Sequence, residues 1–120
     1  MKRKLVIKLA HGSDAPEIMS AGLTIAATAV ASGATVSLWL TAEAAWLGVP
    51  GRADDVPLEH SAPAAELLAA VLAGGVVSVC AQCAARRGLK VSDLLDGVRI
   101  AGAASFVEEV LGDDVTALVY

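Results

Sequence analysis

Both cysteines of this 120-residue chain fall in one short stretch, Cys80-Ala81-Gln82-Cys83, directly behind the apolar run Val76-Val77-Ser78-Val79. A run of that kind reads as a buried strand, and the residues after it read as a short helix. In an open α/β sheet, reactive groups collect in the crevice outside the carboxyl ends of the strands. A thiol placed there meets the positive end of a helix dipole and the free amides of its first turn, which favour the thiolate. The thiolate is the nucleophile, so the pattern points to sulfur chemistry. Cys80 sits nearer the strand end and is expected to be the exposed, working thiol. Cys83 is expected one turn into the helix and partly buried, as a resolving or assisting thiol.

Other readings of a CxxC are available. Free cysteine often behaves as a small buried hydrophobe. A structural zinc site needs four ligands, and this motif supplies two, so His11 and His60 would have to converge on it or two subunits would have to share a metal. A thioredoxin-like oxidoreductase also places CxxC at a helix start. Here the Trp that usually precedes that motif is missing, and no proline follows Pro63.

Around the motif, Arg86 and Arg87 close the short helix, where positive charge suits the C-terminal dipole; an anion or partner contact is the alternative. His11 follows the first strand, on the same carboxyl edge as Cys80 if the strands are parallel, where it would lower the thiol pKa or move a proton. Ser13, Asp14, Thr41 and Glu43 share that edge and are candidate pocket residues. Trp46 and the segment after it are candidates to wall the pocket, Trp39 is expected in the core or an interface, and His60 on loop surface. Gly12 lies between strand and helix, but one glycine falls far short of a phosphate-binding loop.

The elements that must position these residues alternate. Residues 4–10 read as a strand, and Ser13 or Asp14 as the cap of a helix over 16–32 with Pro16 in its first turn and Gly33 just past its end. Gly22 and the alanines of that helix leave it thin enough to approach a sheet or a second subunit closely. Residues 35–41 form a near-continuously apolar strand, followed by a short helix at 42–47 and a long irregular segment at 48–62. Ser61 is the expected cap of a helix over 63–73 that ends at Gly74-Gly75. Strand 76–79, the motif helix ending at Gly88, a helical turn at 91–95, a short strand at 98–101, a helix at 103–111 with Glu108 and Glu109 facing solvent, and a last strand at 115–119 complete the chain. Strands alternating with helices mean right-handed crossovers and a parallel sheet. The expectation is one domain over 1–120, a three-layer α/β fold with a mainly parallel sheet of about five strands.

Composition narrows the setting. Hydrophobic residues make up 56% and charged residues 18% of the chain, which excludes disorder. So apolar a small domain cannot hide every side chain, and homo-oligomerisation is the simplest outlet. With net charge −4 and only Trp39, Trp46, Phe106 and Tyr120 as aromatics, nucleic-acid binding is not expected. The basic start Met1-Lys2-Arg3-Lys4 leads into an apolar run broken by Lys8, too short for a secretory leader. Ile18 to Ala42 carries no charge and is long enough to span a bilayer. Yet its Ser, Thr and Gly residues, with the break at Ser32-Gly33, suit a buried helix followed by a buried strand, so no membrane partner is expected. Two cysteines in one motif suit a reducing cytoplasm.

The pattern Val79-Cys80-x-x-Cys83-x-x-x-Arg87-Gly88 resembles the DsrE/DsrF-like family, also called the YchN-like fold. The likeness runs along the chain through the Asp14-x-Pro16-Glu17 helix start, the Gly33-led second strand and the terminal strand. It implies a small cytoplasmic protein of DsrE/YchN-like, flavodoxin-like topology, assembled as a trimer or hexamer. In such proteins the motif cysteine, matched here to Cys80, carries persulfide between sulfur donor and acceptor proteins; members are also labelled predicted peroxiredoxins. The second cysteine is not universal in the family. No metal and no cofactor is implied. The expected function is persulfide carriage through Cys80, with a thiol-disulfide oxidoreductase using Cys80 and Cys83, or a non-catalytic oligomeric binding module, as alternatives.

Overall fold

A computed structural model describes residues 3–120, so Met1 and Lys2 of the basic start lie outside the described residues. Five strands form one parallel sheet: β1 (Lys4–Leu9), β2 (Thr35–Leu40), β3 (Val76–Cys80), β4 (Val98–Ala101) and β5 (Val115–Val119). Helices α1 (Pro16–Ala31), α2 (Ala64–Gly74), α3 (Ala81–Arg86) and α4 (Ala103–Val110) join them, with 3-10 turns at Ala42–Gly48, Arg52–Asp55 and Val91–Asp93. The α/β class and its all-parallel sheet are as expected. The strand order is 4-3-2-1-5, whereas a flavodoxin-like sheet runs 2-1-3-4-5.

That order explains the layers. From β1 to β4 the chain steps across the sheet in one direction, and right-handed crossovers then put the connecting helices on one face. Met19, Leu23 and Ala26 of α1, with Leu68 and Val71 of α2, form one buried cluster with Ile7, Leu9, Leu38, Leu40, Val77 and Val79. The step from β4 to β5 reverses direction, so α4 falls on the opposite face. There Phe106 meets the buried Trp39 edge-on, ring centroids 5.4 Å apart. With both faces covered, every β2 residue from Val36 to Leu40 is buried, as in parallel sheets generally.

The thin face of α1 is used as expected: a Cβ at Gly22 would lie 2.9 Å from Leu9 Cδ1. The uncharged stretch from Ile18 to Ala42 divides at Gly33 (φ 88°) into α1 and β2. Among the described residues no helix is long and apolar enough to cross a membrane.

Four local expectations are corrected. Neither Ser13 nor Asp14 caps α1: the cap position is Ala15 with no side-chain bond. Pro16 already presets the first helical φ, and the Asp14 carboxylate is occupied by its own loop, accepting from the Gly12 N–H at 2.8 Å. Ser61 does not cap α2 either; that position is Pro63, and the Ser61 hydroxyl instead bonds the Ser20 hydroxyl. The segment 48–62 is not wholly irregular, since it contains the Arg52–Asp55 turn. Glu109 faces inward, its side chain 14% exposed, because Lys4 and Arg99 on the sheet hold it at 3.3 and 3.0 Å.

Candidate functional site

Cys80 is the last residue of β3 and the first before α3, with φ −59° and ψ 129°. Its register partner on β4 is Ala101. The chain leaves β3 toward α3 and leaves β4 toward α4, which packs on the opposite face. Cys80 therefore stands where neighbouring connections diverge, the position at which open α/β sheets bind ligands. Small residues border it: a side chain added at Gly102 would meet nothing within 4 Å. Cys80 is half-buried and Cys83, one turn on, is 8% exposed; both are free thiols.

The two cysteines are 3.6 Å apart. Partial burial of Cys80 pushes its pKa up, because a charged sulfur loses water there. The backbone amides of Cys83 and Gln82, the Cys83 side chain and the Arg86 charge more than offset this and bring the thiol below its usual 9.0. Since α3 has only six residues, these local donors matter more than a macrodipole.

A second element reaches the motif from β2. Leu40 pairs with Val79, so the segment after β2 emerges beside the segment after β3. Ala42 adopts φ 48°, an uncommon conformation for a residue with a Cβ. Its N–H points at Cys83 Sγ, 3.2 Å away. Next to it, Glu43 Oε1 accepts from Arg87 at 3.1 Å, and the same guanidinium donates to the Cys83 carbonyl at 3.2 Å. Arg87 thus ties the motif helix to the β2 exit in addition to sitting at the helix C-terminus.

The remaining candidates fall around this centre at different distances in the topology. Thr41 is buried and donates its hydroxyl to the Leu9 carbonyl, joining the ends of β1 and β2. His11 and Asp14 follow β1, which β2 separates from the cysteine strand. His11 Nδ1 lies 2.8 Å from Asp14 Oδ2, and that bond, with the Gly12 amide, lowers the Asp14 pKa from 3.8. Ser13 and Glu43 line a cavity of about 400 Å3 with Trp46, Arg52 and Asp55. Trp46 walls this cavity beneath the Arg52 guanidinium, 4.3 Å from its ring centre, and neither cysteine is among the lining residues. His60 is exposed, as expected. Among the described residues no three His, Cys, Asp or Glu side chains gather as a metal-binding set.

Two features were missing from the sequence reading. The Ala42 amide contact carries no residue-type signal, since any residue has an N–H. The polar network under α4 does have one: Arg99 reaches Ser78 Oγ at 2.7 Å and Glu109 at 3.0 Å, and Ser78 and Arg99 are charged or polar positions inside strand patterns. With Lys4, Ser37 and Glu109, Arg99 lines a cavity of about 610 Å3 at the opposite edge of the sheet from Cys80.

The profile of the DsrE/DsrF-like family matches residues 3–115. No curated protein matches the chain in sequence. Among solved structures, the ychN protein from E. coli superimposes with a TM-score of 0.80 at 20% identity, covering 100% of both chains. MTH1491 from Methanobacterium thermoautotrophicum, described as a protein of unknown function, gives 0.73 at 9% identity over 99% of this chain and 100% of its own. BT1422 from Bacteroides thetaiotaomicron, a conserved protein of unknown function, gives 0.65 at 14% over 98% and 95%. At such identities the likeness concerns the fold.

Proposed function

Because the chain belongs to the DsrE/DsrF-like family, whose members are consistent with sulfur-relay roles, we propose that it is a persulfide carrier working through Cys80. The observation that carries this reading is the Cys80 sulfur itself. It is half-buried at the divergence of β3 and β4, and its pKa is brought below 9.0 by amides and the Arg86 charge in spite of burial. The Cys80 thiolate attacks the outer sulfur of a donor persulfide. One S–S bond forms, the donor's S–S bond breaks, and the donor leaves as a thiolate. Delivery runs the same exchange in reverse, with an acceptor thiolate attacking the outer sulfur and Cys80 leaving. No net oxidation occurs, which suits a protein that moves sulfur without turning over a small substrate.

The same reading places the carrier in a reducing cytoplasm, as one domain over residues 1–120 that self-associates. Exposed Ile18 and Ile25 on α1, Val107 on α4, and Leu111 just beyond it support association; light scattering on the purified chain reads the trimer or hexamer directly. Reduced protein incubated with a sulfane-sulfur donor and weighed intact should gain one sulfur, lost in Cys80→Ser. A loss of two hydrogens would instead favour a Cys80–Cys83 thiol-disulfide oxidoreductase. No mass change with unreactive thiols would favour a non-catalytic binding module.

A further inference from the structure

We propose that β5 is the contact through which two copies of this chain join: the two β5 strands pair antiparallel about a two-fold axis centred on Ala117 and make one continuous sheet. The inference deepens the reading of the protein as one that self-associates and rests on that reading.

The backbone of β5 leaves one side open. β5 is the outer strand of the order 4-3-2-1-5 and pairs only with β1. The Asp114 carbonyl accepts from the Lys4 N–H, and Tyr120 donates to Lys8 and accepts from Ala10. Along a parallel strand the residues alternate between turning both N–H and C=O to one neighbour and turning both away. The even-numbered residues 114 to 120 therefore face β1, and Val115, Ala117 and Val119 present their N–H and C=O outward. No hydrogen bond meets those groups among the described residues. Sheet edges are ordinarily guarded by charge, proline or a bulge. Val115-Thr116-Ala117-Leu118-Val119 has no charge and no proline, runs in unbroken register with β1, and exposes Thr116, Ala117 and Val119.

The other edge is protected. β4 has four residues, carries Arg99, and has its Val98 N–H taken by the Leu95 carbonyl at 3.1 Å. Adding β5 of one copy to β4 of the next would meet this guarded edge and run on into rings or filaments, whereas a two-fold contact uses one strand twice and closes.

Self-pairing also fits the free groups. With the axis on Ala117, Ala117 opposes its own copy and Val115 opposes Val119. Each of these residues offers an outward N–H and C=O, as the hydrogen-bonded pairs of an antiparallel ladder require. An axis on Thr116 or Leu118 would leave one outward valine of each copy beyond the other strand. The opposed valines form an apolar, β-branched cross-strand pair, which covers Val119, otherwise 69% exposed. Charge agrees. Lys8, the β1 neighbour of Val119, and Asp113, two residues before Val115, have no ion pair among the described residues. The axis brings Lys8 of one copy alongside Asp113 of the other, and does so twice. At the strand spacing of a sheet, the two β3 strands lie about 30 Å apart, so both Cys80 crevices stay open.

The test uses the full chain and sedimentation equilibrium, with circular dichroism to confirm folding. Ala117→Lys and Ala117→Glu each set like charges opposite one another at the axis, which disfavours pairing. Each variant should show half the wild-type assembly mass, and an equal mixture of the two should regain it. Ala117→Pro removes an outward N–H that β1 does not use, a change an edge strand tolerates, and should halve the mass as well. If that variant does not fold, the charge variants, placed on an exposed side chain, carry the test. Wild-type mass in Ala117→Lys and Ala117→Glu, or a mixture that fails to regain it, would overturn the proposal. A monomeric wild type would overturn it together with the reading that the protein self-associates. The carrier reading is scored separately: Cys80 should gain sulfur equally in all these variants, and its failure to do so in any of them leaves the masses as stated.

Discussion

Arg87 and Glu43, 44 residues apart in sequence, meet at 3.1 Å and fasten the motif helix to the exit of β2. The Arg87 side chain is 17% exposed and that of Glu43 43% exposed. The contact is worth more to Arg87, which loses most of its water and also serves the Cys83 carbonyl. Glu43 keeps much of its hydration, and a half-exposed partner gains little from pairing.

The two ends of this bridge should therefore respond unequally. Arg87→Ala is expected to destabilise the fold by about 1–2 kcal/mol, since it leaves a carbonyl and a carboxylate without their charged donor. Glu43→Gln keeps an acceptor at the same place and should cost about 0.5 kcal/mol or less. Urea unfolding of the two variants beside wild type checks the asymmetry; equal losses would mean that the ion pair, and not the Cys83 carbonyl contact, dominates.

Cys80 should react with alkylating reagent as a thiolate at lower pH than an ordinary cysteine. Burial raises its pKa, but the amides of Cys83 and Gln82, the Cys83 side chain and Arg86 lower it further, and the net direction is down from 9.0. The fraction of anion therefore falls only as pH drops through the shifted value, and the alkylation midpoint lies below 9.0. Arg86→Gln removes the one full charge in that set and should move the midpoint upward, by an amount that shrinks in high salt because the arginine is exposed. A midpoint in Arg86→Gln equal to that of wild type at low salt would remove Arg86 from the account.

How much of this was legible beforehand depended on whether the signal was local. The place of Cys80 at a strand end followed from three valines around a serine, a motif and a glycine. The breaks at Gly33 and Gly88 followed from residue type, and both glycines do take positive φ, 88° and 66°. The caps failed because Ser13, Asp14 and Ser61 are all suitable by type, while Pro16 and Pro63 had already fixed the entry of the chain into each helix. Ala42 was unreadable: nothing in an alanine announces φ 48° or an amide aimed at a sulfur 41 residues away. Glu109 looked like helix surface because its partners Lys4 and Arg99 lie on strands that reach it only through the strand order 4-3-2-1-5.

Glu109 gives the fold an acid-sensitive contact. Burial raises its pKa, but the hydrogen-bonding and charged groups around it, Lys4 and Arg99 among them, outweigh this and hold the carboxyl below its ordinary 4.5. A depressed carboxylate contributes stability that is present above the unfolded value and is lost as pH falls through the folded one. Glu109→Gln should thus cost about 1–2 kcal/mol at neutral pH, and the deficit should shrink below pH 4.5. Thermal unfolding across that range checks it. A deficit of constant size would mean that packing, not charge, explains the loss.

Two glycines should answer the same substitution differently, because what a new methyl meets is different. At Gly22 the nearest atom is Leu9 Cδ1 at 2.9 Å, the far end of a side chain that can rotate away. There the gain in helix propensity from Gly to Ala, about 0.8–1 kcal/mol, opposes the crowding. Gly22→Ala should leave the melting temperature nearly unchanged. At Gly75 the methyl would lie 2.7 Å from the Val36 carbonyl oxygen and 3.2 Å from that of Val71. Both are backbone atoms held in β2 and α2, and Gly75 also closes α2 by donating its N–H to Val71 at 2.7 Å. No rotamer relieves that contact, so Gly75→Ala should cost about 1–3 kcal/mol. Because Gly75 directly precedes β3, the strain falls on the strand that carries Cys80. The variant should therefore also lose sulfur loading in step with its unfolding; loading kept at full level in a destabilised Gly75→Ala would show that the cysteine corner is held independently of the start of its strand.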